Sequence, residues 1–293
     1  MSDGVPLVLR LRYPTGDRLP RMKPVAAAAA LLLFVASCST SEPEALPVEL
    51  PPSGGKFDYQ IGGVYQPDAR VKIVVRDRGK IPVGDRYNIC YLNALQTQPD
   101  PMDGSLSWWK QNHGDLLVKK PDGEPVIDPE WDEGILDIST ADKRRKILDI
   151  QKKWIEGCKT SRYQAIEADN LDSHMRAGGA FDINATKEFM KAFVKHAHQK
   201  GLAVAQKNGG ELGDSGRKYI GFDFAITEDC QANDECKPYA DAFGDKYFQI
   251  EYTDEAFQKS CSDRGGKVSI IRRDRNVVPY GHSDYVYEVC PAS

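Results

Sequence analysis

From residue 57 onward, short β-branched and aromatic runs alternate with stretches of helical spacing, and this alternation constrains the fold more than any other feature. VKIVV, YNICYL, GILDI, QAIEA, LAVAQ, FDFAIT, YFQIEY and VSIIR read as strands, and FDYQIG adds a ninth candidate. Strands separated by crossover helices pair in parallel. The spacing predicts one helix from about Ala141 to Glu156, behind Ser139 and Thr140, with Ile147, Leu148, Trp154 and Ile155 on one side. A second helix is predicted to start after Asn184 as N-cap, to bury Phe189, Ala192, Phe193 and Ala197, and to stop at Gly201. A single-domain α/β fold, the (β/α)8 TIM barrel, fits this pattern best over residues 56–293. A doubly wound open sheet is the alternative, but neither GGVYQP nor NGGELG makes the GxGxxG turn that opens a helix in such folds. Segment 97–134, with prolines at 99, 101, 121, 125 and 129, reads as a long excursion able to wall a cleft.

The first 37 residues are excluded from the barrel. RMKPVAAAAALLLFVASC has a basic start, an apolar run from Val25 to Val35 and small residues before Cys38, the pattern of an export signal. The run falls short of the roughly 20 apolar residues of a spanning helix. VASC further resembles a lipobox, which makes Cys38 the expected lipidation site; an ordinary signal peptide cut nearby is the alternative. Residues 1–21 carry no fold signal, so Met22 is a possible start. Residues 38–55, rich in Pro, Ser and Glu, read as a flexible tether. The expected location is the outer face of the cell membrane or the cell envelope, with a lipid anchor as the sole membrane contact.

Removing residues 1–37 leaves 34 basic against 41 acidic side chains, a formal charge of −7. Nucleic acid is an unsuitable partner for such a surface, whereas a cationic ligand suits it. Six cysteines remain besides Cys38, an even number in an exported chain, which points to disulfides. Proximity favours Cys230 with Cys236 and Cys261 with Cys290, leaving Cys90 with Cys158. No C-x-x-C pair occurs and the histidines are scattered, so no metal is expected.

Polar residues recur at the predicted strand ends: Asp77, Asn93, Asp137, Glu167 with Asp169, Lys207 with Asn208, Glu228, Glu251 with Tyr252, and Arg272 with Asp274. Each alone reads better as a turn cap or a satisfied structural ion pair. Together they match the rim where barrel enzymes carry their sites. Residues two apart on a strand share a face, so Glu167 and Asp169 both reach the mouth while Asn170 and Asp172 continue into the loop. Two carboxylates from different strands suffice for glycosidic cleavage, and Asp169 with Glu228 is the natural pair. No H-E-x-x-H or G-x-S-x-G motif offers another chemistry. Trp108, Trp109 and Trp131 are open to either burial or sugar stacking, while Trp154 fits a helix core.

DYQIGG (58–63), YNICYLNA (87–94), IEADNLDS (166–173), AHQKGLAVAQKNGGEL, FDFAITEDC followed by EC, and IEYTD together resemble glycoside hydrolase family 114, the endo-α-1,4-polygalactosaminidases, over roughly residues 57–290. The resemblance implies a TIM barrel and retaining, endo-acting hydrolysis of α-1,4-linked, partly N-acetylated galactosamine polymers. By matching motif it implies Asp169 as nucleophile and Glu228 as acid/base; no cofactor is required, and a monomer is expected. Asp58, Tyr59, Tyr91, Asn93 and Asn170 are then expected at sugar subsites. Asp77, Asp137, Glu167, Asp172 and Glu251 would attract ammonium groups, with Lys207, Asn208, Tyr252 and Arg272 beside them. Two departures stand out: Ala168 where a proline is common, and DYQIGG in place of a Trp-containing opening strand. A surface-anchored polysaccharide-binding protein and a glycosidase for neutral α-glycans are the competing readings.

Overall fold

The computed structural model describes residues 44–99 and 101–291, so the expected export signal and the expected lipidation site Cys38 lie outside the described residues. Eight strands run in parallel in chain order: β1 Phe57–Tyr59, β2 Ile73–Asp77, β3 Tyr87–Asn93, β4 Ala165–Asp169, β5 Ala203–Lys207, β6 Phe224–Glu228, β7 Tyr247–Glu251 and β8 Ser269–Arg273. A ninth, β9 Tyr287–Val289, pairs antiparallel with β8. The sheet curls, and all eight parallel strands point their C-terminal ends to one mouth. Helices α1 Leu106–His113, α2 Ala141–Thr160, α3 Ile183–Gln199, α4 Lys237–Phe243 and α5 Asp254–Arg264 lie between strands. Crossovers without an α-helix join β1 to β2, β2 to β3 and β5 to β6, the last by short 3₁₀ and π turns, so the helical layer is less regular than eight strict β/α units.

Strand alternation divides the apolar residues into two layers. Phe57, Ile73, Ile89, Ala165, Ala203, Phe224, Phe248 and Ile271 fill the space inside the curl. Leu92, Ile166, Ala168, Val204 and Ala225 pack outward with Ile147, Trp154, Phe189 and Phe193 of the helices. Ala168, one of the two departures from the family pattern, is thus a packing residue on the outer side of β4. No backbone ladder joins β1 to β8 among the described residues. Side chains cross that seam instead: Ser269 Oγ donates to the Gly55 carbonyl at 2.6 Å, Tyr287 OH to the Phe57 carbonyl at 2.8 Å, and Arg273 to the Tyr59 carbonyl.

The end opposite the mouth is covered by chain expected to be a tether. Leu46 N donates to the His198 carbonyl at 3.0 Å, and Tyr87 OH to the Glu49 carbonyl at 2.6 Å. Val48 packs on the interior apolar layer. The described part of that segment is therefore a floor strap, because its apolar residues find a surface to bury on.

Three disulfides join Cys90 to Cys158, Cys230 to Cys236 and Cys261 to Cys290, with Cα separations of 6.0, 4.8 and 5.4 Å. The first pins β3 to α2, and the third ties α5 to the residue following β9. Three sequence expectations need correction. GILDI is no barrel strand: Ile135 and Leu136 make only isolated bridges to Gln96 and Leu117 within the long excursion. The excursion also holds a small hairpin, Ile127–Asp128 paired with Glu133–Gly134. The N-cap of α3 is Asp182, whose carboxylate accepts from Asn184 N at 3.0 Å and Ala185 N at 3.1 Å, and Ala192 is exposed while Met190 and Val194 are buried.

Candidate active site

Alternation places the last inward residues of β4, β5 and β6 around a single cation. Lys207 Nζ lies 3.2 Å from each of Glu167 Oε1, Asp169 Oδ2 and Glu228 Oε2. It also donates to Tyr59 OH at 2.9 Å, and Tyr59 OH donates to Glu167 Oε1 at 2.7 Å. Tyr91 OH donates to Asp169 Oδ2 at 2.8 Å, and Tyr252 OH donates to Glu228 Oε1. Burial opposes the charge on Lys207, but the surrounding carboxylates outweigh it and hold the ammonium well above the usual lysine range. Burial, reinforced by nearby carboxylates, also pushes the phenols of Tyr59, Tyr91 and Tyr252 well above the usual range, so all three remain donors.

Access separates the three carboxylates. The Glu167 side chain is fully buried, whereas those of Asp169 and Glu228 keep 15% and 25% of their surface. Burial raises Glu167 to about 7, against the opposing pull of Lys207. Glu167 is a support beneath Asp169.

Each of these strand ends is followed by an Asn or Asp in the left-handed region: Asn170 at φ 61°, Asn208 at 48° and Asp229 at 51°. These residue types tolerate that conformation because their short polar side chains bond locally. The turns aim donors back at the carboxylates. Asn170 N donates to Asp169 Oδ1 at 2.7 Å, Asn208 Nδ2 donates to Glu228 Oε2 at 3.1 Å, and Glu228 N donates to Asn208 Oδ1 at 2.9 Å.

Of the expected site residues, Asp169, Glu228, Glu167, Lys207, Tyr59, Tyr91, Asn208, Tyr252, Asn93 and Asn170 are brought together. Others are not. Asp58 and Glu251 sit one residue out of phase, on the opposite side of their strands from Tyr59 and Tyr252. Asp58 accepts from Gln60 Nε2 at 2.8 Å and Tyr65 OH at 2.6 Å. Glu251 accepts from Gln231 N, Ala232 N and Gln249 Nε2 at 2.9, 3.2 and 2.8 Å, which secures the loop after β6. Arg272 pairs outward with Asp254 and Glu288 at 3.2 and 2.8 Å. Asp137 pairs with Lys143 at 2.5 Å, Asp172 forms a forked pair with Arg176, and Asp77 accepts from Gly79 N at 2.8 Å. Cys230, Cys236 and Glu251 come within 4.8 Å of one another, but the two sulfurs are bonded together and no thiolate is left to hold a metal.

The sequence reading missed Glu133. It projects from the small hairpin, and its Oε2 accepts from Asn93 Nδ2 at 2.6 Å and Asn170 Nδ2 at 3.3 Å. Asn93 Oδ1 in turn accepts from Asn170 Nδ2 at 2.7 Å. Placing GILDI on a barrel strand hid this carboxylate, whose neighbourhood was visible only as a proline-rich wall. Among the tryptophans, Trp109 and Trp154 are core residues, while Trp131 at the hairpin tip is 56% exposed.

No curated protein matches the chain significantly by sequence. The fold is shared by solved structures, among them the following two. Ega3 of Aspergillus fumigatus, solved in complex with galactosamine, has a TM-score of 0.65 at 18% identity, covering 84% of this chain and 99% of Ega3. The glycoside hydrolase domain of PelA from Pseudomonas aeruginosa has a TM-score of 0.54 at 16% identity, covering 78% and 98%. The model of glycoside-hydrolase family GH114 matches residues 38–293. With that match and a pair of reachable carboxylates at the mouth of its curled sheet, the chain belongs to glycoside-hydrolase family GH114.

Proposed function

We propose that the protein is an endo-acting, retaining glycoside hydrolase that cleaves α-1,4-linked galactosamine and N-acetylgalactosamine polymers at the mouth of a closed (β/α)8 barrel. The observation that carries this reading is the joint hold of Lys207 on Asp169 and Glu228. Two contacts of 3.2 Å to one nitrogen keep Asp169 Oδ2 and Glu228 Oε2 no further apart than twice that distance. Inverting pairs stand about 6.5 to 9.5 Å apart to admit a water, whereas retaining pairs stand about 5 to 5.5 Å apart. Galactosamine in the Ega3 complex supports an amino sugar as the recognised unit.

Asp169 attacks the anomeric carbon as the glycosidic C–O bond breaks, and Glu228 passes its proton to the departing oxygen. Water then attacks the glycosyl–Asp169 ester and gives a proton back to Glu228. The donors on Asp169 from Lys207, Tyr91 and Asn170 fix its orientation for attack. Incubation with deacetylated galactosamine polymer should release oligosaccharides whose first-formed anomer is α by NMR. Binding without release would leave a polysaccharide-binding protein, and release from neutral glycans alone would reassign the substrate.

We further propose that the domain acts outside the cytoplasm, monomeric and held by lipid on Cys38. The three disulfides support an oxidising compartment. Mass spectrometry of the mature protein should find a diacylglyceryl group on Cys38, lost in Cys38→Ala.

A further inference from the structure

We propose that Glu133 is a specificity residue of this site, holding the 2-ammonium group of a galactosaminyl unit next to Asp169. The inference rests on the hydrolase reading above and names the chemical group by which the enzyme would distinguish deacetylated from acetylated sugar.

The geometry is that of a carboxylate fixed at one oxygen and left available at the other. Both bonds from Asn93 and Asn170 fall on Oε2, and neither uses Oε1. Asn170 also gives its backbone N–H to Asp169 Oδ1, so Glu133 stands two hydrogen bonds from the proposed nucleophile. Glu133 is partly buried, on the mouth side of the β3 and β4 ends. In a 2-amino sugar the nitrogen is attached to the carbon beside the one attacked, so a group recognising it must lie close to the nucleophile without being it. Glu133 meets that requirement through a hairpin separate from the barrel strands.

Charge explains why the ligand should be a cation. The charged groups around Glu133 are Asp169 from β4, Asp128 from the facing strand of the hairpin, and Arg176 from the loop after β4. Arg176 is occupied, 2.7 Å from both Asp128 Oδ2 and Asp172 Oδ1. Burial, with Asp169 and Asp128 adding to it, raises Glu133 to about 8. An arriving ammonium supplies the missing positive charge, restores the carboxylate and releases a proton. An acetamido group has no charge to offer and gains nothing from that exchange.

The test compares fully deacetylated with N-acetylated galactosamine polymer on wild type and Glu133→Gln. Glutamine retains an acceptor oxygen for Asn93 and Asn170, and an unchanged melting temperature verifies that the hairpin stands. The expected result is at least a tenfold fall in kcat/KM on the deacetylated polymer, carried mainly by KM, with less than a twofold change on the acetylated one. Calorimetric titration of deacetylated polymer into Asp169→Asn at pH 7, in two buffers of different ionisation enthalpy, should show proton release that disappears in Asp169→Asn/Glu133→Gln. Equal losses on both polymers would make Glu133 a mere support for Asp169, and no loss would remove it from the site; either overturns the proposal. Wild-type cleavage of the acetylated polymer alone would overturn it while leaving the hydrolase reading intact. Wild-type inactivity on both polymers would instead overturn that reading, and this inference with it.

Discussion

Two of the places where the described residues bury charge are built to opposite ends. At the β8–β1 seam, Asp58 and Arg273 are almost wholly buried 3.7 Å apart, and both are saturated. Asp58 takes bonds from Gln60 and Tyr65, while Arg273 donates to the carbonyls of Tyr59, Val278 and Val286. Arg76 extends the network to Gln60 Oε1, the Ile81 carbonyl and the Tyr65 carbonyl at 2.9, 2.6 and 2.7 Å. Across the β4–β6 arc, three carboxylates share one lysine, and Glu167 Oε2 has no partner among the described residues. A satisfied network gives shape, because any partner removed leaves an unpaired buried charge. A network short of positive charge is one that a ligand can complete.

The comparison is broken most severely by Asp169→Asn. Turnover should fall on the order of 10⁴-fold or more, with polymer binding kept and stability equal or higher, because one of three crowded acids is neutralised. Steady-state kinetics and thermal melting check both halves; an unstable variant would mean that the arc, too, is structural.

Arg273→Met should do the reverse. Loss of the partner of a fully buried Asp58 costs about 3 to 5 kcal/mol, read by urea unfolding, and adding Asp58→Asn should recover part of that loss. If Arg273→Met unfolds at the wild-type midpoint, the seam is not the support described.

A smaller effect is expected from pH. Glu167 is raised from 4.5 to about 7 and Glu133 from 4.5 to about 8, both by burial first. In these windows the native state holds protons that the unfolded chain has lost. Their stabilising contribution is therefore complete below about pH 4.5 and is lost as pH rises through 7 and 8. Melting temperatures of Glu167→Gln across this range should fall less steeply than wild type, retaining the slope due to Glu133. Identical slopes would refute the raised carboxyl.

The mildest change is Trp131→Ala. An exposed indole at a hairpin tip belongs to neither network, so stability should move by less than about 0.5 kcal/mol. KM on long polymer should rise a few-fold with kcat unchanged, as for a stacking contact made equally in ground and transition states.

The parallel strands were legible because their runs are long, apolar and β-branched, and YNICYL, QAIEA and FDFAIT each landed on the sheet. Period-two alternation also identified Glu167 and Asp169 as neighbours on one face. The same alternation, applied from a strand end uncertain by one residue, cannot tell Tyr59 from Asp58 or Tyr252 from Glu251, so both members of each pair are expected at the site, and the phenols alone reach Lys207 and Glu228. GILDI looked like a strand because Ile135, Leu136 and Ile138 are fully buried; they are buried under the excursion, a tertiary fact that local pattern does not contain. The floor strap escaped notice for the complementary reason. Its Pro and Glu content suggests free chain, and only the surface it covers makes Val48 a packing residue.

The left-handed turns after β4, β5 and β6 limit which amino acids these positions can accept. At 170, 208 and 229 the backbone itself selects, before any question of catalysis: glycine would relax the turn, and a β-branched residue would meet its own carbonyl. Asn170 and Asn208 carry a second demand, since their side chains bond Glu133 and Glu228, so glycine there keeps the turn and loses the bond. A saturation library over positions 170 and 208 should therefore separate two constraints that overlap there: survivors by folding should include Gly, Asn and Asp, while survivors by hydrolysis should narrow towards Asn.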